Sequence, residues 1–413
     1  MYNQSFSGKE LYRLTTQVER RDFGLEKNGF IKSIDDEISS ALLNRTYSFK
    51  FKVVNGLFLN GLPYTTPNER FTYLCQDLIL RKIYQNIKKI YNVRQADRNK
   101  IVQQIQMLLD SKKDYWIIRL DVKSFYESLD RTAILNRLYK QYRLSPLTTL
   151  LLQKIFEVPI IKESTGIPRG LSISSCLSEL AMKYFDIEIK QYTGVYYYAR
   201  FVDDIIIFCA TKECMDNLWC LIPKKLKELS LTINITKSKK ISSKELKESD
   251  ANSLIYLGYS FSLKETVKDG EKSNWVLYTD ISHQKVDKIK TRITKSFVNV
   301  IKNGDVGLLR DRIKYLTGNY SIKNKQTLLP VKAGIYYNYK RIDSNSYQLK
   351  ELDSFYQNIL HCYHGKLGIK LSSKLTKNDR EKLKKYSFKM GFSHHTFHSF
   401  TPDRIHEIKK CWL

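Results

Sequence analysis

No stretch of this 413-residue chain approaches the ~20 consecutive apolar residues that a membrane-spanning helix needs, so a membrane span is not expected. The opening MYNQSFSGKELYRL has no apolar core and no small-residue cleavage site, and a secretory leader is not expected either. Glycine (17) and proline (8) are too scarce for a collagen-like or low-complexity chain. The seven cysteines, Cys75, Cys176, Cys209, Cys214, Cys220, Cys362 and Cys411, form no Cys-x-x-Cys pair. An odd number without paired spacing speaks for reduced thiols in a cytoplasmic protein rather than a disulfide framework. Acidic side chains are also short: 42 Asp and Glu face 70 Lys and Arg, a net charge of +28.

What is present is globular. Hydrophobic residues make up 42% and aromatics 12%, enough for two or three domains with real cores. The positive surplus implies a polyanionic partner, nucleic acid or an anionic surface. A Lys-, Asn-, Ile- and Tyr-rich coding composition accounts for part of it.

Residues 1–40 read as helical, with Ser7 and Glu10 in capping-box spacing. From Tyr47 the period shortens to two: YSFKFKVV, Asn55-Gly56, then LFLNGLP, a hairpin signature. Residues 67–110 return to helix, WIIRLDV (116–122) is a strand, and Ser145-Pro146 opens another helix. GIPRG (166–170) is a loop before a helix expected to stop at Gly194. YYYARFVDDIIIFCA (196–210) reads as two strands around a turn carrying Asp203 and Asp204, and IYLGYSF (255–261) as one more strand. Beyond 264 the chain is basic and helical, with 30 Lys and Arg against 14 Asp and Glu. The polar KETVKDGEKSN stretch suggests a boundary near 265–280.

Asp121 ends an apolar strand and Asp203-Asp204 sit between ARFV and IIIF. Carboxylates in such surroundings are costly unless they meet cations. Three of them at adjacent strand ends would suit two Mg²⁺ ions about 4 Å apart, the arrangement that activates a hydroxyl and stabilises a leaving pyrophosphate.

LDVKSFYESLD (120–130), GIPRGLSISS (166–175), ARFVDDIIIF (199–208), LTINITKS (231–238) and YLGY (256–259) follow one another in order. Together they resemble the five palm motifs of reverse transcriptases. The resemblance covers about residues 40–262, with 47–110 similar to the fingers. SFYES, FVDD and the unusual second motif look like the unknown-group and abortive-infection enzymes that bacteria use in defence against phage.

The resemblance implies that Asp121, Asp203 and Asp204 are catalytic and bind metal, with the Val122 carbonyl as a further ligand. It places Tyr126, beside Phe125, as the aromatic gate against a ribose 2′-hydroxyl, Lys237 as the proton donor to pyrophosphate, and Gly258 at the primer grip. Some features depart from the family pattern. Phe201 replaces the usual tyrosine, Arg169 stands where many relatives have glutamine, and Asn60 stands where an arginine is frequent. Contacts to the triphosphate or template then fall to Arg169, Lys50, Lys52 and Arg70, with Arg81 behind them.

His394, His395, His398, His406 and Cys411 do not have zinc-finger spacing. They read as surface or RNA-contacting residues rather than a metal site, as do His361, Cys362 and His364.

The expected fold is α+β: a right-hand polymerase with helical and hairpin fingers, an antiparallel-sheet palm, and a basic helical thumb. Its parts would be 1–110, 111–265 (with finger elements interleaved at 131–170) and 266–413. The expected function is RNA-directed DNA synthesis with two Mg²⁺ ions, for which Mn²⁺ can substitute. It would use dNTPs and a non-coding RNA template in antiphage defence, alone or with a second copy or a second reverse transcriptase. The alternatives are template-independent or protein-primed DNA synthesis at the same site, an RNA-templated RNA polymerase (against which Tyr126 argues), and a maturase-like RNA-binding scaffold.

Overall fold

The computed structural model describes residues 2–111, 113–248, 252–266, 274–323 and 330–412. Among these, no helix is long and apolar enough to cross a membrane. The chain divides into two compact units: residues 1–96 with 115–240, and residues 97–114 with 241–413. These limits differ from the three-part division read from the sequence. The expected helix over 67–110 is two helices, Pro67–Ile90 and Arg98–Leu109, and they lie in different units. Within the second unit, Arg98 donates two hydrogen bonds to the Leu257 carbonyl and one to that of Asn338, while Gln106 donates to Thr279 and to the Arg341 carbonyl. Residues 267–273 of the polar stretch lie outside the described residues.

The first unit opens with three helices, Gly8–Tyr12, Gln17–Phe23 and Lys27–Leu43. The capping box expected at Ser7 is not formed, because Glu10 turns to Lys82, whose ammonium is fully buried 3.0 Å away. The box forms instead at Thr16 and Glu19. Strands β1 (Phe51–Val54) and β2 (Leu57–Asn60) pair as expected around Asn55-Gly56, both with positive φ as a type I′ turn requires. The helix Pro67–Ile90 is capped by Thr66 and Glu69.

The centre of this unit is an antiparallel sheet. It runs in the order β4 (Val195–Phe201), β5 (Asp204–Cys209), β3 (Trp116–Lys123), β6 (Thr232–Ile233). The five residues Ile205 to Cys209 are all buried, so both faces of β5 are covered, which explains its unbroken apolar run. The helix Ser172–Lys190 packs on β4, and Lys212–Glu228 packs on β3 and β5. The first of these helices ends at Lys190, before Gly194.

Strand β7 (Lys239–Ser242) carries the chain into the second unit. There β8 (Leu254–Tyr256), β9 (Tyr259–Thr266) and β10 (Asn274–Ile281) form an antiparallel meander. The segment expected as one strand at 255–261 is therefore a hairpin, and Leu257 and Gly258 (φ 49° and 80°) are its turn. The turn accounts for the glycine without any ligand. The helices His283–Asn303, Val306–Thr317 and Tyr347–Leu360 pack together, and β11 (Asn319–Lys323) pairs with β12 (Pro330–Gly334) beside them. The basic C-terminal region is thus not wholly helical.

Candidate active site

The sheet register brings the acids together. Asp121 on β3 lies directly opposite Asp204 on β5, and the Asp203 carbonyl accepts a hydrogen bond from the Val122 amide at 3.1 Å. The turn itself is Val202-Asp203, with Asp204 already in the strand. Val202 has φ of 61°, a conformation that strains a β-branched residue. Such strain persists only where the surroundings impose it.

Burial pushes the Asp203 carboxyl above its ordinary pKa, and the negative charge of Asp121 pushes it further; Arg169 and Lys237 work the other way. Asp204 is also raised, chiefly by burial, against the pull of Arg119 and with the push of Asp203 and Asp121. The three acids therefore share one field.

Several neighbours that the sequence reading did not single out hold them. Asn234 donates through Nδ2 to Asp121 Oδ2 at 3.0 Å and through its amide to the Asp121 carbonyl at 2.7 Å. Ser238 Oγ accepts from the Asp121 amide at 3.1 Å. Arg119 spans Asp204 Oδ1 (3.4 Å) and the Lys237 carbonyl (3.0 Å). Lys237, in a short 3₁₀ turn, reaches within 3.7 Å of Asp121 Oδ2 with its side chain 60% exposed. Asn234 and Ser238 stand in the same LTINITKS segment as Lys237, but polar loop residues carry no sign of which partner they will meet.

The loop GIPRG is seated on the segment after Asp121. Ile167 donates its amide to the Tyr126 carbonyl at 2.8 Å. Arg131 pins the loop from below through the carbonyls of Gly166, Ile161 and Ser164. Phe125 is buried and meets the half-buried Tyr126 edge-on, with ring centroids 5.4 Å apart. Burial raises the pKa of the Tyr126 hydroxyl, and the nearby Ser178 side chain works the other way.

Arg169 lies 5.7 Å from the Tyr126 ring centroid and holds Glu127 with both ends of its guanidinium, at 2.6 and 3.0 Å. The β1–β2 hairpin joins the same loop, since the Phe58 amide donates to the Arg169 carbonyl at 2.7 Å. Lys50 and Lys52 are exposed on that hairpin. Asn60 is buried and donates to Tyr73 and Asp77. Arg70 lies over Tyr64, and Arg81 is committed to Glu19. The structure thus gathers Asp121, Val122, Asp203, Asp204 and Lys237, with Phe125 and Tyr126 on the helical turn Phe125–Ser128 and Arg169 on the loop seated against it. Lys50 and Lys52 stand at and on the β1–β2 hairpin and Arg70 on the first turn of the helix Pro67–Ile90, none of them bonded to the acids.

Three oxygen-donor carboxylates, two of them raised chiefly by burial and further by their neighbours' charge, suit a hard divalent cation. Among the described residues no group of three or more His, Cys, Asp or Glu is gathered as a ready ligand set. Here Asn234, Lys237 and Arg119 engage the acids instead. Among the C-terminal histidines, His395 lies against the Tyr336 ring and His398 near Tyr386 and Phe400. Burial lowers the His398 pKa.

Residues 66–261 match the reverse transcriptase (RNA-dependent DNA polymerase) family. The matched segment, a little under half of the chain, carries the reverse transcriptase domain, and the mixed helical and antiparallel-sheet architecture is consistent with the right-hand polymerase fold. No curated protein matches the sequence.

Solved structures similar to it include apo telomerase from Candida tropicalis truncated from its C-terminal domain, at 14% identity and a TM-score of 0.37 over 56% of this chain and 58% of that one. Telomerase from Candida albicans in complex with a TWJ fragment of telomeric RNA is similar at 13% identity, with a TM-score of 0.36 over 83% of this chain and 56% of that one. This chain covers little more than half the length of those telomerase chains.

Proposed function

We propose that this chain copies RNA into DNA at the Asp121–Asp203–Asp204 cluster. One observation carries the reading: acids more than eighty residues apart in sequence meet across the β3–β5 register and share one field. In the proposal, Asp121 and Asp203, with the Val122 carbonyl, hold two Mg²⁺ ions, and Asp204 stands beside them, tied back by Arg119. Bound divalent cations supply the charge that activates a 3′-hydroxyl and neutralises the leaving pyrophosphate.

The rest is positioning, which dominates phosphoryl transfer. Tyr126, backed by Phe125 and Ser178, fills the space a ribose 2′-hydroxyl would need. Lys237 delivers a proton to pyrophosphate. Arg169, Lys50, Lys52 and Arg70 meet the triphosphate or template backbone. The exposed Lys288 and Lys295 of the helix His283–Asn303 stand opposite its buried Val286, Ile293 and Phe297, with the exposed Lys285 at the flank, a pattern that suits a phosphate backbone.

The finer reading is a bacterial, defence-associated enzyme working in the cytoplasm on a non-coding RNA. It is supported by the SFYES, FVDD and GIPRG segments. Purified protein given Mg²⁺, labelled dNTPs and its co-purifying RNA should incorporate label, and Asp203→Ala should abolish it. No incorporation, or incorporation that survives Asp203→Ala, overturns the proposal. Sequencing the co-purifying RNA tests the template, and a phage challenge of cells carrying the Asp203→Ala variant tests the defence role.

A further inference from the structure

Arg200 stands three residues before Asp203 and is 6% exposed. Its guanidinium makes five hydrogen bonds. Nε and Nη2 donate to the two oxygens of Asp186 at 2.9 and 2.7 Å, and Nη1 and Nη2 donate to those of Glu179 at 3.1 and 2.7 Å. The fifth N–H, on Nη1, donates to the Val202 carbonyl at 3.1 Å. An arginine has five such donors, so all are used. Tyr198 on the same strand donates to Asp186 at 2.6 Å.

Both acids belong to the helix Ser172–Lys190, which also carries Ser178, a neighbour of the Tyr126 hydroxyl. One helix therefore abuts the gate residue on one side and anchors this arginine on the other.

The fifth bond is the informative one. With four N–H groups on Glu179 and Asp186, the buried fifth one needs an acceptor, and the one it meets is the Val202 carbonyl. That carbonyl belongs to the peptide joining Val202 to Asp203, and Val202 is the strained left-handed residue of the turn. Fixing the carbonyl fixes the whole planar peptide, including the Asp203 amide, and so the backbone from which the Asp203 side chain departs. A lysine cannot do this, because it lacks the planar fork that reaches two carboxylates and a carbonyl at once.

We infer that Arg200 is a positioning residue, which holds the Val202-Asp203 peptide in its strained conformation through the rigid anchor of Glu179 and Asp186. It thereby aims the Asp203 carboxylate at the metal position. The inference rests on the proposed metal role of Asp203, and it assigns to the helix Ser172–Lys190 the task of setting the turn.

The test uses the full chain and the variant Arg200→Lys, read by Mn²⁺ binding (electron paramagnetic resonance) and by the Mg²⁺ dependence of dNTP incorporation. Mn²⁺ affinity should weaken by about 5-fold or more and turnover fall about 10- to 100-fold, with RNA affinity changed less than about 2-fold. Val202→Asn, which favours positive φ, should recover most of the Mn²⁺ affinity in the Arg200→Lys background.

A folded Arg200→Lys protein with wild-type Mn²⁺ affinity overturns the inference. So does a weakened affinity that Val202→Asn leaves unchanged, since a purely structural arginine would behave that way. If Arg200→Lys does not fold, Glu179→Gln, which keeps the Asp186 pair, carries the same readings with smaller changes. If the wild type binds Mn²⁺ but incorporates no nucleotide, the proposed function falls while the Mn²⁺ comparison still decides the role of Arg200.

Discussion

Gly166 lies over the backbone of Tyr126 so closely that a β-carbon on it would come within 2.2 Å of the Tyr126 carbonyl oxygen. Its φ of 60° is a second reason for glycine. Gly166→Ala should therefore lift the loop from the segment that follows Asp121. We expect a stability loss of about 1–3 kcal/mol. We also expect dNTP incorporation to fall at least about 10-fold, because small displacements of positioning groups are costly. Thermal melting and a single-nucleotide extension assay check both.

The gate proposed at Tyr126 acts by volume. Removing the ring with Tyr126→Ala should raise ribonucleotide use relative to deoxynucleotide use by about 10- to 100-fold, while Tyr126→Phe, which keeps the ring, should change the ratio little. Competition between rNTP and dNTP in one reaction measures it. A ratio unchanged in Tyr126→Ala would remove Tyr126 from the nucleotide site.

Asp203 offers a pH-linked prediction. Burial and the neighbouring Asp121 raise its pKa in the folded protein. The folded state therefore binds the proton more tightly than the unfolded chain, so this residue's contribution to stability falls as pH rises from the ordinary carboxylate pKa through the raised one. Without metal at pH 7, Asp203→Asn should melt no lower than wild type, and about 1–3 °C higher if the full penalty is relieved. Added Mg²⁺ should raise the melting temperature of wild type but not of the variant. Thermal melts with and without chelator decide this.

The buried Lys82–Glu10 pair at 3.0 Å ties the first helix to the helix Pro67–Ile90. Glu10→Gln removes the counter-charge of a buried ammonium that otherwise has only neutral partners such as the Asn3 carbonyl, and should cost about 3–5 kcal/mol, whereas the apolar double variant Glu10→Leu with Lys82→Met should recover much of that. Urea denaturation of the two variants gives the comparison.

The Asn55-Gly56 hairpin and the strands around Asp121 and Asp203 were legible because their determinants are local. Two positive-φ residues make a type I′ turn, and unbroken apolar runs make strands covered on both faces. The five motifs in order also pointed to the acids that the β3–β5 register brings together and to the loop beside Tyr126.

Elsewhere local rules gave the wrong element. Ser7 and Glu10 have perfect spacing for a capping box, yet Glu10 goes to Lys82, because an unpaired buried ammonium costs more than a lost cap. The helical pattern over 67–110 hid a break whose two sides belong to different units, since periodicity reports which face is apolar but not what covers it.

By itself, then, the sequence determined the composition of the site: which residues are acidic, which segments are strands, and where a turn must fall. Only the tertiary structure decided that Asp121 stands opposite Asp204, that Asn234 and Ser238 bracket Asp121, and that Arg200 reaches the Val202 carbonyl. Those are contacts between groups distant along the chain, fixed by sheet register and by the packing of the helix Ser172–Lys190, and no nearest-neighbour pattern encodes them.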